Sequence, residues 1–188
     1  MTESFPEPAP EPELAPEHAP GDFVLPDGYP VLEGAPEGTG RSVGVVVSRF
    51  NGEITTALLE RALETLAEQG VAQSAITVMP VPGAFELPLA AMALARSRRY
   101  ACIVALGCVI RGETPHFEYV AAEAASGLQL AGLETGVPVS FGVLTCETRE
   151  QAEARLDKGA EAALTALEMA DLFAHVRGSQ ATAQQPVS

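Results

Sequence analysis

The chain has 188 residues, 47% of them apolar, which suffices for one domain with a sizeable core and some chain to spare. Its formal net charge of −14 opposes nucleic acid and anionic membrane surfaces as partners. Three cysteines (Cys102, Cys108, Cys146) stand far apart in apolar runs, without C-x-x-C spacing. They read as reduced core thiols, not as a disulfide frame or a zinc site.

Residues 1–30 are a Pro/Glu/Ala tract (PEPAPEPELAPEHAP) that holds much of the charge. Glu3, Glu7, Glu11, Glu13, Glu17, Asp22, Asp27, Glu33 and Glu37 all precede the first basic residue, Arg41. Proline removes backbone donors and like charges repel, so the tract is expected to be a disordered tail, either purely solvating or partner-binding. Its start has no basic n-region and no apolar h-region, and the longest apolar run, residues 101–110, is too short to span a bilayer. The expectation is a cytoplasmic protein without a membrane partner.

From residue 43 the pattern alternates. Residues 43–47 (VGVVV) are a β-branched run suited to a strand buried on both faces. Asn51 is placed to cap a helix whose apolar positions Ile54, Leu58, Ala62 and Leu66 step by four, with Gly70 ending it. Residues 76–81 form a second strand, broken by Pro82-Gly83. A helix over 87–96 holds Pro88 in its first turn, where proline is tolerated. Residues 101–110 form a third strand. Thr114-Pro115 then reads as an N-cap followed by proline at the first helical position, opening a helix to about Glu134 that Gly136-Val137-Pro138 closes. A fourth strand covers 139–145. An Ala-rich helix follows over 149–173, with a break near 157–159, and residues 174–188 are expected to be a flexible tail. This βαβαβαβα order predicts an α/β domain over residues 31–173, with a mainly parallel four-stranded sheet and helices on both faces.

Ligands of such sheets bind beyond the carboxyl ends of the strands. The chain's unusual residues gather there. His116 alone of the three histidines stands at a strand-to-helix junction, after Arg111-Gly112-Glu113-Thr114-Pro115. It is either an acid/base group, for which an imidazole is suited near neutral pH, or a surface histidine at a helix start. The same junction offers free backbone N–H groups and a helix dipole, an anion site or an ordinary capped helix. Phe50 follows the first strand, and Ala84-Phe85-Glu86 follows the second. Two phenyl rings on one edge can sandwich a flat heterocycle, though either alone could cap the core. The chain has no G-x-x-x-x-G-K-[ST], G-x-G-x-x-G or H-E-x-x-H motif and no G-x-S-x-G elbow between a strand and a helix, and Lys158 is its only lysine. Nucleotide-triphosphate, metal and serine-hydrolase chemistry therefore lose support.

SRFN (48–51), VPGAFELP (81–88), LGCVIRGETPHFEYV (106–120), GVPVSFGVLTCET (136–148) and KGAEAALTALEMADL (158–172) occur in the order and at the spacing of one family. Through them the chain resembles the lumazine synthases of riboflavin biosynthesis. The resemblance implies a flavodoxin-like three-layer sandwich. It also implies condensation of 5-amino-6-(D-ribitylamino)uracil with 3,4-dihydroxy-2-butanone 4-phosphate to 6,7-dimethyl-8-ribityllumazine, phosphate and water, with no metal or organic cofactor. By this resemblance His116 moves protons and Phe50 stacks on the pyrimidine. Ala84, Phe85, Glu86, Cys108, Val109 and Ile110 line its pocket. Glu113 and Thr114 hold the butanone phosphate through their backbone, Arg155 pairs with that phosphate, and Phe141 comes from a neighbouring subunit. The implied assembly is a homopentamer, with a sixty-subunit icosahedral capsid and association with riboflavin synthase as further forms. In it residues 31–34 form a first strand that pairs with the neighbour's sheet. The chain departs from the family between Arg155 and Lys158, where only Leu-Asp stands in place of a longer, glycine-containing segment.

Overall fold

The computed structural model describes residues 24–183. The chain divides into two units between Val31 and Leu32. In the first, residues 24–31 carry a turn in which Gly28 takes φ 88°, a left-handed conformation open to glycine. Residues 1–23 of the acidic tract lie outside the described residues.

The second unit holds strands β1 (Val43–Ser48), β2 (Ile76–Val81), β3 (Cys102–Ile110) and β4 (Val139–Cys146). Its helices are α1 (Gly52–Glu68), α2 (Leu87–Arg96), α3 (His116–Thr135), α4 (Arg149–Glu153) and α5 (Lys158–Ala183), and single 3₁₀ turns cover Gln73–Ala75 and Ala84–Glu86. The strands pair in the order β2-β1-β3-β4, all parallel, with Val43 level with Ile76 on one side and Cys102 on the other. This is the expected parallel sheet between helical layers, a flavodoxin-like sandwich. Pro80, which cannot donate to a ladder, lies in the edge strand β2, where proline is tolerated.

Alternation along the strands divides the core. Val43, Val45, Val47, Cys102, Val104 and Leu106 pack with Ala62, Leu66, Ala163 and Leu167 of α1 and α5. Val46, Ile103, Ala105 and Val109 pack with Leu87, Ala91, Ala124 and Leu128 of α2 and α3. Because both faces are covered, every residue of β1 is buried, hence its valine-rich sequence. With small side chains prevailing, the layers approach closely. A Cβ on Gly159 of α5 would lie 2.2 Å from the Leu58 carbonyl oxygen of α1, and one on Gly127 of α3 would lie 2.6 Å from Pro88 of α2.

Several local expectations change. Asn51 precedes α1 but makes no side-chain cap; it takes φ 56°, and its Nδ2 donates instead to the Cys108 carbonyl at 2.9 Å. That bond serves a carbonyl beyond Leu106, the last β3 residue level with β1. Thr114 does not cap α3 either: Pro115 occupies the N-cap and the helix opens at His116. The final helical stretch breaks over residues 154–157, just ahead of the expected 157–159, because Gly159 serves the packing on α1 rather than the break. The pattern closes the domain at Phe173, whereas α5 continues to Ala183; residues 184–188 lie outside the described residues.

Residues 33–41 run along α5 and are clasped by Asp171. Its carboxylate accepts from the Ala35 N–H at 3.0 Å and from Arg41 Nη2 at 2.5 Å, while Arg41 Nε donates to the Glu37 carbonyl at 2.7 Å. The Ala35 N–H, with His175 and Arg41 nearby, holds the Asp171 carboxyl below its usual range. Residues 31–34 form no strand with any of the described residues.

Candidate active site

Four parallel strands end at one edge, so the segments after β1, β2 and β3 meet there. Between them opens a cleft of about 550 Å³. Phe50 and Asn51 bound it after β1, and Gly83, Ala84, Phe85 and Glu86 after β2. Cys108, Val109, Ile110, Gly112 and Thr114 come from the end of β3, and His116 with Phe117, Tyr119 and Val120 from the start of α3. Phe50 is 72% exposed and Phe85 57%. Neither ring caps the core, so both are uncovered apolar faces at the cleft.

The turns are held from within. The Gly83 N–H donates to Glu86 Oε2 at 2.8 Å, which closes the Ala84–Glu86 turn and fixes that carboxylate at the cleft. The Asn51 amide, by its bond to Cys108, ties the segment after β1 to β3. Burial, helped by the nearby Cys146, pushes the Cys108 thiol up to about 11, so it is a neutral wall of the cleft and not a nucleophile at neutral pH. Burial likewise raises Cys146, and pushes Cys102, away from the cleft, up to about 12.

The remaining sequence candidates stand elsewhere. Glu113 is exposed on the loop before α3 and does not line the cleft. Phe141 is level with Ala105 on the opposite edge strand, well below the carboxyl ends, and is 48% exposed. Arg155 lies in the turn between α4 and α5, where its Nη1 donates to the Gln151 carbonyl at 2.8 Å. Neither Phe141 nor Arg155 lines the cleft of its own chain. Arg111, which precedes the start of α3 in sequence, is engaged by carboxylates: Nε donates to Glu147 at 2.6 Å and Nη1 to Glu118 at 3.1 Å.

Tyr119 and Val120 are cleft residues that the sequence reasoning misses. They follow His116 at i+3 and i+4, so helical periodicity from the histidine finds them. Among the described residues, no group of three His, Cys, Asp or Glu side chains is placed to hold a metal ion, and no helix is long and apolar enough to cross a membrane.

Comparison with known proteins points to one family. Residues 40–174 match the model of a family described as 6,7-dimethyl-8-ribityllumazine synthase. The chain is also 50% identical over 151 residues to the 6,7-dimethyl-8-ribityllumazine synthase of Syntrophus aciditrophicus (strain SB), a match covering 78% of this chain and 98% of the relative.

Proposed function

The chain belongs to the 6,7-dimethyl-8-ribityllumazine synthase family of riboflavin biosynthesis, and from that premise we propose that its cleft condenses 5-amino-6-(D-ribitylamino)uracil with 3,4-dihydroxy-2-butanone 4-phosphate. The observation that carries this reading is the meeting of Phe50, Phe85, Glu86 and His116 around one cleft.

The pyrimidine stacks against the exposed phenyl rings, which supply apolar area without needing a hydrogen-bond partner. Glu86, already fixed by the Gly83 N–H, accepts from the polyol chain. The phosphate of the ketone is held at the start of α3, where no side chain caps the helix and the dipole favours an anion. The 5-amino nitrogen attacks the ketone, and the carbinolamine loses water to give an imine. Phosphate then leaves by elimination, and the ribitylamino nitrogen closes the ring on the carbonyl this creates, with loss of a second water. Each stage moves protons near one place, and His116 on the first turn of α3 stands there with an exposed imidazole. Holding two flexible reactants in one geometry supplies much of the remaining acceleration. The reading invokes no metal or organic cofactor.

The working form in this reading is a homopentamer, and the sixty-subunit shell is a larger assembly to be tested by sedimentation. Support comes from surfaces left open in a single chain. Among the described residues β4 is an edge strand with no outer partner, and beside it Leu128, Leu133, Val139, Met169 and Phe173 line a groove of about 290 Å³. Leu89, Tyr119 and Leu133 are each more than two-thirds exposed. Phe141 and Arg155, outside their own cleft, serve the cleft of a neighbour. The test is formation of the lumazine, followed by its absorbance, from the two purified substrates against a no-enzyme control. A rate well above the control that is lost in His116→Ala supports the proposal; a rate equal to the control from folded protein rejects it.

A further inference from the structure

Arg111 is the first residue after β3, and its backbone N–H continues the sheet by donating to the Cys146 carbonyl at 3.0 Å. Its side chain then spans two other pieces of the structure. Nε reaches Glu147 after β4 at 2.6 Å, and Nη1 reaches Glu118 in the first turn of α3 at 3.1 Å. The guanidinium also lies over the ring of Phe117, 4.5 Å from its centre. Glu147 is itself anchored, since its N–H donates to Gln151 Oε1 of α4 at 2.9 Å, and the Gln151 carbonyl accepts from Arg155. One planar cation thus joins the end of β3, the β4–α4 connection and the two residues, Phe117 and Glu118, that directly follow His116.

Two roles are open to an arginine here, and the contacts decide between them. A phosphate ligand would present its fork to the cleft. Arg111 has two fork nitrogens committed to two carboxylates and one face to a ring, and it does not line the cleft. Exposed ion pairs are individually weak, but a planar fork shared between two carboxylates and a ring resists rotation as a unit. The loop over residues 111–115 has no other side-chain tie among the described residues, and the N-cap of α3 makes none.

We infer that Arg111 is a positioning residue, the clamp that fixes the 111–115 loop and the first turn of α3, and through them the place of His116 relative to the phosphate-binding helix start. The inference rests on the function proposed above for that helix start. Loosening the clamp spreads the loop over several positions. The ketone phosphate then loses its preformed amide cradle, while the stacking wall at Phe50 and Phe85 stays as it was.

The test compares Arg111→Gln, Arg111→Lys and the double variant Glu118→Gln/Glu147→Gln with the full-length parent, at matched oligomeric state. Arg111→Gln is expected to raise KM for the phosphorylated ketone about tenfold and lower kcat, while lumazine binding, read by fluorescence, stays within about twofold. Arg111→Lys recovers little, because an ammonium cannot span both carboxylates. The double variant leaves Arg111 in place but frees it. A clamp predicts a higher KM for the phosphorylated ketone in it; a direct phosphate ligand predicts a lower one, and that result overturns the inference. Equal losses for both substrates in Arg111→Gln would also overturn it. An inactive parent would defeat the proposed function alone. The clamp is then read from amide hydrogen exchange over 111–120, which must rise several-fold in Arg111→Gln and in the double variant; unchanged exchange refutes it.

Discussion

The cleft and the β4–α5 stretch hold the candidate site residues in contrasting ways. The cleft is made of short segments after β1, β2 and β3, the one after β2 closed by a local bond and the one after β1 tied to β3, all brought to one edge by a parallel sheet. Phe141 and Arg155 belong to an edge strand and to a surface turn, and they face no cleft of their own chain. A parallel sheet gathers whatever follows its strands without help, whereas a residue midway along an edge strand gains a function only through what lies beside that edge. One chain therefore gathers two phenyl rings, a carboxylate and an imidazole at one cleft, and in the proposed function Phe141 and Arg155 reach the cleft of a second copy.

The contrast is broken most severely at His116. His116→Ala is expected to cost about 10²–10⁴ in kcat with little loss of stability, since the side chain is exposed and caps nothing; stopped-flow absorbance and a thermal melt check both halves. Arg155→Ala should raise KM for the phosphorylated ketone about tenfold or more, the worth of a charge-assisted hydrogen bond, and leave KM for the pyrimidine unchanged. Equal effects on both substrates would erase the distinction between the two regions. Gly159→Ala strains the base of the α4–α5 turn, because its Cβ would meet the Leu58 carbonyl. Denaturant unfolding should show a loss of about 1–3 kcal/mol.

Smaller effects sharpen the picture. With its thiol pushed up to about 11 by burial, Cys108 should be alkylated by iodoacetamide slowly at pH 7, and faster as pH rises toward that value. Fast labelling at neutral pH would show a thiolate in the cleft. The Asp171 clasp has a definite pH window. Its folded carboxyl is held below the ordinary 3.8, so the unfolded chain binds the proton more readily there. The clasp contributes fully above about pH 4 and fades as pH falls through the lower folded value. Exchange of the Ala35 amide should accordingly quicken in acid and in Asp171→Asn.

Much of the fold is legible in the sequence because it is governed by periodicity. Ile54, Leu58, Ala62 and Leu66 step by four and are all buried in the structure, and the β-branched run after Ser42 lies inside the sheet. Boundaries set by single side-chain bonds are less legible. Asn51 has the chemistry of a cap, yet it spends its amide on a carbonyl that β1 is too short to reach. Gly159 has the look of a helix breaker, yet it is there for close packing on α1. For the site, the turns after strands are readable because topology alone assembles them. The clamp at Arg111 is not, since Glu118 and Glu147 come from separate elements that only the fold brings together. The roles of Phe141 and Arg155 come from the family resemblance and not from periodicity, since a single chain does not contain the surface they are proposed to serve.

Subunit mixing tests the two-copy site most directly. His116→Ala and Arg155→Ala subunits are each dissociated, combined in equal amounts and reassembled, and lumazine formation is compared with the two parents. If Arg155 serves a neighbour's cleft, about a quarter of the sites in a random cyclic mixture hold both native residues, and, assayed well below KM for the phosphorylated ketone, the mixture runs more than twice as fast as the Arg155→Ala parent. If both residues serve one chain's cleft, no mixed site is whole, and a rate equal to the mean of the parents would contradict the account.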